Sequence, residues 1–430
     1  MELADAQSLG FEPDRLGRIG AYLDEHYIAS GRLPGLDVLV ARDGEPVYRH
    51  TAGRAREDGT PMAADTICRI ASMTKPLTSV AFMMLVEEGK VALDDPVTKV
   101  IPEFANLGVY AGGGGEVDFF PARPAPVMRM IDLITHQSGL TYGIQNRTNV
   151  DAAYRKARLD GHASLPGYDH FVEELAKLPL EFEPGQAWNY SVGTDVLGVV
   201  VARLSGMSLG EFLRTRIFEP LGMADTGFYC PDDKAHRLAD AWAYQAGQPP
   251  QLFDPAEKSG TRRVPRFESG GGGLLSTTAD YHRFCRMLVG GGAADGARIL
   301  SPKTLELMTA NHLPGGADLT QVSKALFSEA YNAGAGFGLG FGMTIDPARA
   351  LARDILVMCR DQETGGHRLV DRADQVHHMV CRLPIEITGR LVCQHQHRIV
   401  DKGARHCDTL ALASRKTWRS TSSALPSALS

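Results

Sequence analysis

Along residues 1 to about 350, apolar positions recur with two periods, broken by Gly and Pro, as in a mixed α/β protein. Leu36 to Ala41 and Pro46 to His50 predict two strands joined at Asp43-Gly44, a hairpin pairing of residues. From Pro76 to Glu88 the residues Leu77, Val80, Ala81, Met84 and Leu85 form one helical stripe, and Gly89 supplies the stop. Met130 to Thr135, Thr194 to Leu204 and Leu209 to Phe218 predict further helices. Another opens at Thr278-Ala279-Asp280, runs through Phe284 to Leu288 and ends at Gly290-Gly291-Gly292. Ala111-Gly112-Gly113-Gly114-Gly115 reads as a flexible loop, and no internal repeat is visible.

The pattern changes after residue 350. Residues 351–430 contain no Phe or Tyr, and Trp418 is their one aromatic. They hold Cys359, Cys381, Cys393 and Cys407 and six His, in spacings that fit no zinc pattern. Twelve Lys+Arg against eight Asp+Glu give this tail +4 and leave −10 on the body. The end, Ser420-Thr421-Ser422-Ser423-Ala424-Leu425-Pro426-Ser427, is low in complexity. Two accounts stand open for 351–430: a reading-frame shift near residue 350, or a divergent or disordered tail.

Composition adds limits. With 43% hydrophobic and 22% charged residues in 430, there is apolar material for a large core. A formal net charge of −6 offers no basic surface for nucleic acid. No window is long and apolar enough for a membrane span, so no membrane partner is expected. Met1 to Ala6 lack a basic-then-apolar leader pattern, and the expected location is the cytoplasm. There the seven cysteines read as free thiols.

The chemistry-bearing run is Ser72-Met73-Thr74-Lys75 at the start of a helix. Three residues apart, Ser72 and Lys75 share one face. A serine hydroxyl needs an adjacent base to act as a nucleophile, and an ammonium in a desolvated cleft gives up its proton more readily. A helix N-terminus adds N–H groups suited to a developing oxyanion. Ser-x-x-Lys alone is also an ordinary helix start, with Ser as cap and Lys in solvent.

Context separates the two readings. Asp65-Thr66-Ile67-Cys68-Arg69-Ile70-Ala71 precedes Ser72, and Leu93-Asp94-Asp95-Pro96-Val97 follows the helix. Later come Leu133-Ile134-Thr135-His136-Gln137-Ser138-Gly139-Leu140 and Pro184-Gly185-Gln186-Ala187-Trp188-Asn189-Tyr190-Ser191. Glu219-Pro220-Leu221-Gly222-Met223-Ala224-Asp225-Thr226 and Gly272-Gly273-Leu274-Leu275-Ser276-Thr277-Thr278-Ala279-Asp280 complete the series. Over about residues 10 to 350 this order resembles the serine β-lactamase and penicillin-binding-protein superfamily. It looks most like the family VIII carboxylesterases, which share the class C β-lactamase fold.

The resemblance implies an α/β (α+β) two-lobed fold. An antiparallel sheet from both ends of the chain would be flanked by helices, with a mostly helical lobe inserted at about 100–270. Residues 1–350 would form this serine hydrolase domain. It implies Ser72 as acylated nucleophile, Lys75 as general base, and Tyr190 as second base or proton relay. A phenol beside an ammonium can share one mobile proton with it. The substrate would be a small-molecule ester with a short acyl chain, and no metal or cofactor is implied.

Two residues after Tyr190 the lactamases commonly carry Asn; here Val192 has no polar atom for a β-lactam side chain. Esters are favoured over a β-lactamase or D-Ala peptidase activity. An acyltransferase would use the same three residues, and a catalytically impaired homologue acting as a binding protein is the remaining class. The third motif of the superfamily, a strand with Lys-Thr-Gly or a Trp/Gly variant, is expected near residues 355–375. Glu363-Thr364-Gly365-Gly366 is its candidate, without the basic or aromatic residue. Gly206-Met207-Ser208-Leu209-Gly210 matches the Gly-x-Ser-x-Gly elbow of α/β-hydrolases. That elbow needs a preceding strand, whereas a helix is predicted there, so Ser208 is expected to cap the next helix. His136 is expected to be structural.

Overall fold

The computed structural model describes residues 1–347 apart from 121, 161–164, 246–247 and 327–331, together with Arg349 and the strand Ile355–Leu356. The chain divides into units Met1–Ile385 and Glu386–Ser430, and every described residue belongs to the first. The candidate third motif and the tail from residue 357 lie outside the described residues.

Helix α1 (Pro13–Leu23) turns Leu16, Ile19 and Leu23 inward. Strands β1 (Gly35–Arg42) and β2 (Glu45–Gly53) pair antiparallel, with Arg42 opposite Glu45. The two linking residues, Asp43 and Gly44, have φ of 54° and 84°, as a two-residue hairpin turn requires. Both strands run further than the apolar alternation predicts, because polar residues extend the ladder, as where Thr51 Oγ1 donates to Asp37 Oδ1 at 2.8 Å across the pair.

A short strand β3 (Cys68–Arg69) leads through a 3-10 turn (Ala71–Met73) into α2 (Thr74–Glu87). The helix starts two residues before the predicted Pro76, which its first turn tolerates because N–H groups there have no helical acceptor. Every residue from Thr74 to Leu85 is buried, so α2 is a central helix rather than a half-exposed one.

Next come α3 (Met130–Ile134), α4 (Asn149–Lys156), α5 (Tyr168–Ala176) and α6 (Gly193–Ser205). Helix α6 is buried from Gly193 to Ala202 and packs against α2. The predicted helix Leu209 to Phe218 is two pieces: α7 (Leu209–Leu213), then a wider π turn over Arg214–Phe218. Pro220 accounts for the change, since its ring crowds the carbonyl four residues back and it has no N–H to donate.

Strand β4 (Leu275–Ser276) pairs antiparallel with β3, Cys68 opposite Ser276 and Arg69 opposite Leu275. Helix α8 (Thr278–Val289) follows. Strands β5 (Ala335–Phe337), β6 (Gly342–Thr344) and β7 (Ile355–Leu356) form a second antiparallel sheet. The described residues thus hold small antiparallel sheets among helices, a mixed α/β fold. Among the described residues, β1–β2 and β5–β7 pair in separate ladders. The strand expected from the third motif falls outside the described residues. One apolar core runs from α2 through α6 to Phe337, Leu339 and Phe341. Among the described residues no single helix is long and apolar enough to cross a membrane.

Candidate active site

Three stretches of chain meet at Ser72. The β3–β4 pairing brings the segment 269–276 against the start of α2, where Ile70 donates its N–H to Leu274 O at 3.0 Å. Leu274 N–H donates to Thr74 Oγ1 at 3.1 Å, and the Tyr281 hydroxyl of α8 donates to Met73 O at 3.0 Å. Ala71, just before Ser72, has φ 41°, a left-handed conformation costing a non-glycine residue about 1–3 kcal/mol. The surrounding bonds hold the turn in that conformation.

Ser72 is 8% exposed, Lys75 4% and Tyr190 2%. Tyr190 Oη lies 2.5 Å from Ser72 Oγ, hydroxyl to hydroxyl. Lys75 Nζ donates to Ser72 Oγ at 3.2 Å and to Gly271 O at 2.7 Å. The ammonium also lies 4.5 Å from the Tyr190 ring centre and 5.3 Å from that of Tyr142, over two electron-rich faces. The three residues singled out in the sequence are therefore brought together, two proton-carrying groups on one serine oxygen.

Other neighbours were not legible in the sequence. The Asp195 carboxylate, fully buried in the first turn of α6, accepts from Tyr142 Oη at 3.1 Å. It also accepts from Ser269 Oγ at 2.5 Å and Gly271 N–H at 3.0 Å. Burial, and then the Asp195 charge, push the Tyr142 phenol well above its ordinary range, so it stays protonated as a donor. Gln145 Nε2 donates to Tyr190 O at 2.5 Å and to Asn189 Oδ1 at 3.0 Å, fixing the backbone that carries the phenol. No motif in the sequence marks these groups, because they touch the serine only through others.

His136 is buried, with Nδ1 3.2 Å from Ser191 Oγ and its ring against Trp188, Tyr190 and Phe337. Burial, then the nearby Lys75 charge, hold its basicity well below the ordinary range, which fits a neutral packing group. Ser208 Oγ accepts from Glu211 N–H at 3.2 Å as the cap of α7, and α6 precedes it, so the elbow geometry is absent. Val192 is fully buried and caps α6 with no side-chain hydrogen bond.

A buried serine with lysine and tyrosine on its oxygen, on a mixed α/β fold with a central helix, defines an active-site-serine protein. A family model for β-lactamases matches residues 22–366. A Mycobacterium tuberculosis protein, Rv1367c, is 39% identical over 326 residues, which cover 75% of this chain and 77% of its own. Esterase EstB of Burkholderia gladioli is 32% identical over 342 residues, covering 77% and 81%. The solved structure of EstCE1, a hydrolase with promiscuous acyltransferase activity, matches with a TM-score of 0.62 at 25% identity, covering 81% of this chain and 87% of its own. The chain belongs to the β-lactamase family, as a hydrolytic or acyl-transferring serine enzyme.

Proposed function

We propose that this protein is a serine carboxylesterase of the family VIII type, hydrolysing small esters with short acyl chains through an acyl-Ser72 intermediate. The observation that carries the reading is the convergence of Tyr190 Oη and Lys75 Nζ on Ser72 Oγ. Ser72 Oγ attacks the ester carbonyl while its proton passes to the Tyr190–Lys75 pair, which acts as general base in the form that shares a single proton between phenolate and amine. The tetrahedral adduct collapses, the C–O bond to the alcohol breaks, and the alcohol leaves with that proton. Water then attacks the acyl-enzyme, again deprotonated by the pair, and releases the carboxylic acid and free Ser72. The identity of Val192 supports esters over β-lactams, because it has no polar atom at the position where the lactamases commonly carry Asn.

An acyltransferase is the second reading, favoured by the similarity to EstCE1, itself a hydrolase that also transfers acyl groups. It uses the same acyl-enzyme and differs in letting an alcohol rather than water resolve it. Ser72→Ala is expected to abolish hydrolysis of p-nitrophenyl acetate. Retained hydrolysis, or loss on Ser208→Ala instead, would overturn the assignment. Adding a small alcohol and assaying for the transferred ester separates the two acyl acceptors. Intact-mass measurement after fluorophosphonate and after penicillin separates the classes: an adduct with the first alone supports the esterase, and no adduct with either indicates an impaired homologue.

A further inference from the structure

The segment that holds Lys75 is intrinsically loose. It reads Ser269-Gly270-Gly271-Gly272-Gly273, four consecutive glycines, and such a run loses much conformational freedom when ordered. Yet the carbonyl of Gly271 is the 2.7 Å acceptor of the Lys75 ammonium, so its placement matters to a few tenths of an ångström. Something outside the run has to fix it.

Asp195 does so from α6. Its Oδ1 receives both Ser269 Oγ and Gly271 N–H, at 2.5 and 3.0 Å, and spans the first three residues of the run. Thr78 Oγ1 of α2 adds a bond to Gly270 O at 2.8 Å. The fit is close: a Cβ on Gly271 would lie 2.3 Å from Asp195 Oδ2 and 2.8 Å from Tyr142 Oη. Through Oδ2 the same carboxylate receives Tyr142 Oη, whose ring is the second surface against the ammonium. A carboxylate near a helix N-terminus has an ordinary stabilising role with the helix dipole. That role alone gives no reason for donors from residues 142, 269 and 271 to converge on it. Burying a carboxylate costs several kcal/mol before pairing, and the flanking Val196 and Leu197 show that this turn sits in apolar surroundings.

We propose that Asp195 is a positioning residue for the nucleophile: it fixes the Gly271 carbonyl and the Tyr142 ring that together hold the Lys75 ammonium at Ser72. The inference rests on the reading of Ser72, Lys75 and Tyr190 given above. It requires the acceptor geometry of Asp195, and Asn can keep that geometry, with Oδ1 accepting from Ser269 and Gly271 and Nδ2 donating to Tyr142 Oη.

The test is the rate at which a fluorophosphonate labels Ser72 in the full chain, with kcat and KM for p-nitrophenyl acetate measured alongside. Asp195→Ala is expected to label about 10- to 100-fold more slowly and to lose kcat in step while KM stays near wild type, since small misplacements of reacting groups cost this much. Asp195→Asn is expected to recover to within about threefold of wild type, since it keeps the two bonds at Oδ1 and a reversed one to Tyr142. Should Asp195→Ala fail to fold, the double variant Ser269→Ala/Tyr142→Phe strips two of these donors and is expected to slow labelling several-fold. Labelling at the wild-type rate in Asp195→Ala or the double variant, or an Asn variant as slow as the Ala one, would overturn the inference. A wild-type chain that leaves Ser72 unlabelled would overturn the nucleophile reading and this inference with it. A labelled wild type beside an unaffected Asp195→Ala overturns this inference alone.

Discussion

Ser72 Oγ receives its two neighbours from different directions, the ammonium from its own helix one turn on and the phenol from the segment before α6. Removing one therefore leaves the other in place. Tyr190→Phe keeps the ring that packs on His136 and the Lys75 ammonium and deletes one hydroxyl. It is expected to cut kcat for an ester by about 10²–10⁴, the usual contribution of a positioned acid or base, with KM little changed. Lys75→Ala is expected to cost at least as much and to lower stability too, because Gly271 O loses its donor in a buried site. Ser72, Lys75 and Tyr190 were readable in the sequence because each carries its chemistry in its own side chain within an ordered motif series. Asp195 and Gly271 were not, since a buried Asp in a helix and a Gly in a glycine run acquire meaning only when the fold brings together positions 76 apart in the chain.

Among the elements, α2 shows what periodicity misses. The reading of a stripe counts strongly apolar side chains, yet Thr74, Thr78 and Ser79 are as buried as Leu77 because their hydroxyls and small volumes suit close contact with neighbouring backbone. Caps were more legible: the Ser208 side chain does cap α7. Ser208→Ala is expected to lower stability by about 1 kcal/mol in denaturant unfolding and to leave turnover per folded molecule unchanged. The turn Tyr142–Gln145, which supports the Tyr190 backbone, leans on Asp160, whose carboxylate accepts Gly143 N–H at 3.0 Å. Burial first, with the Asp195 and Asp151 charges adding to it and backbone hydrogen bonds opposing, raises the Asp160 carboxyl to about 6. Its folded value thus exceeds the unfolded ~3.9, and between these the folded chain binds more protons than the unfolded one. Stability from this group falls as pH rises through about 4 to 6. Asp160→Asn is expected to flatten that part of a Tm-against-pH curve. An unaltered curve would place the dependence elsewhere.

For the whole molecule, the resemblance gave the class of fold, while the sheet partners of each strand were beyond it. Pairings such as β3 with β4 join residues some two hundred positions apart, and no local pattern encodes them. The third motif, expected after residue 350, is the part of the site that the sequence departs from. Exchanging residues 351–430 for the corresponding segment of EstB is expected to raise soluble yield, and to raise ester turnover by about 10²–10³ if that segment restores an oxyanion donor. Equal yield and turnover would mean that the native segment already serves.

The bonds around Ser72 join it to Tyr190, 118 residues away, and join Lys75 to Gly271, 196 residues away. The proposed catalytic group is therefore expected to assemble late when the chain folds. Local helices such as α2 and α6 can develop early, whereas closing loops of this length is slow. During refolding from denaturant, far-UV ellipticity should recover first and ester turnover later, with Ser72 labelling following turnover. In a partly refolded population the activity would count completed molecules, and a helix signal would overcount them.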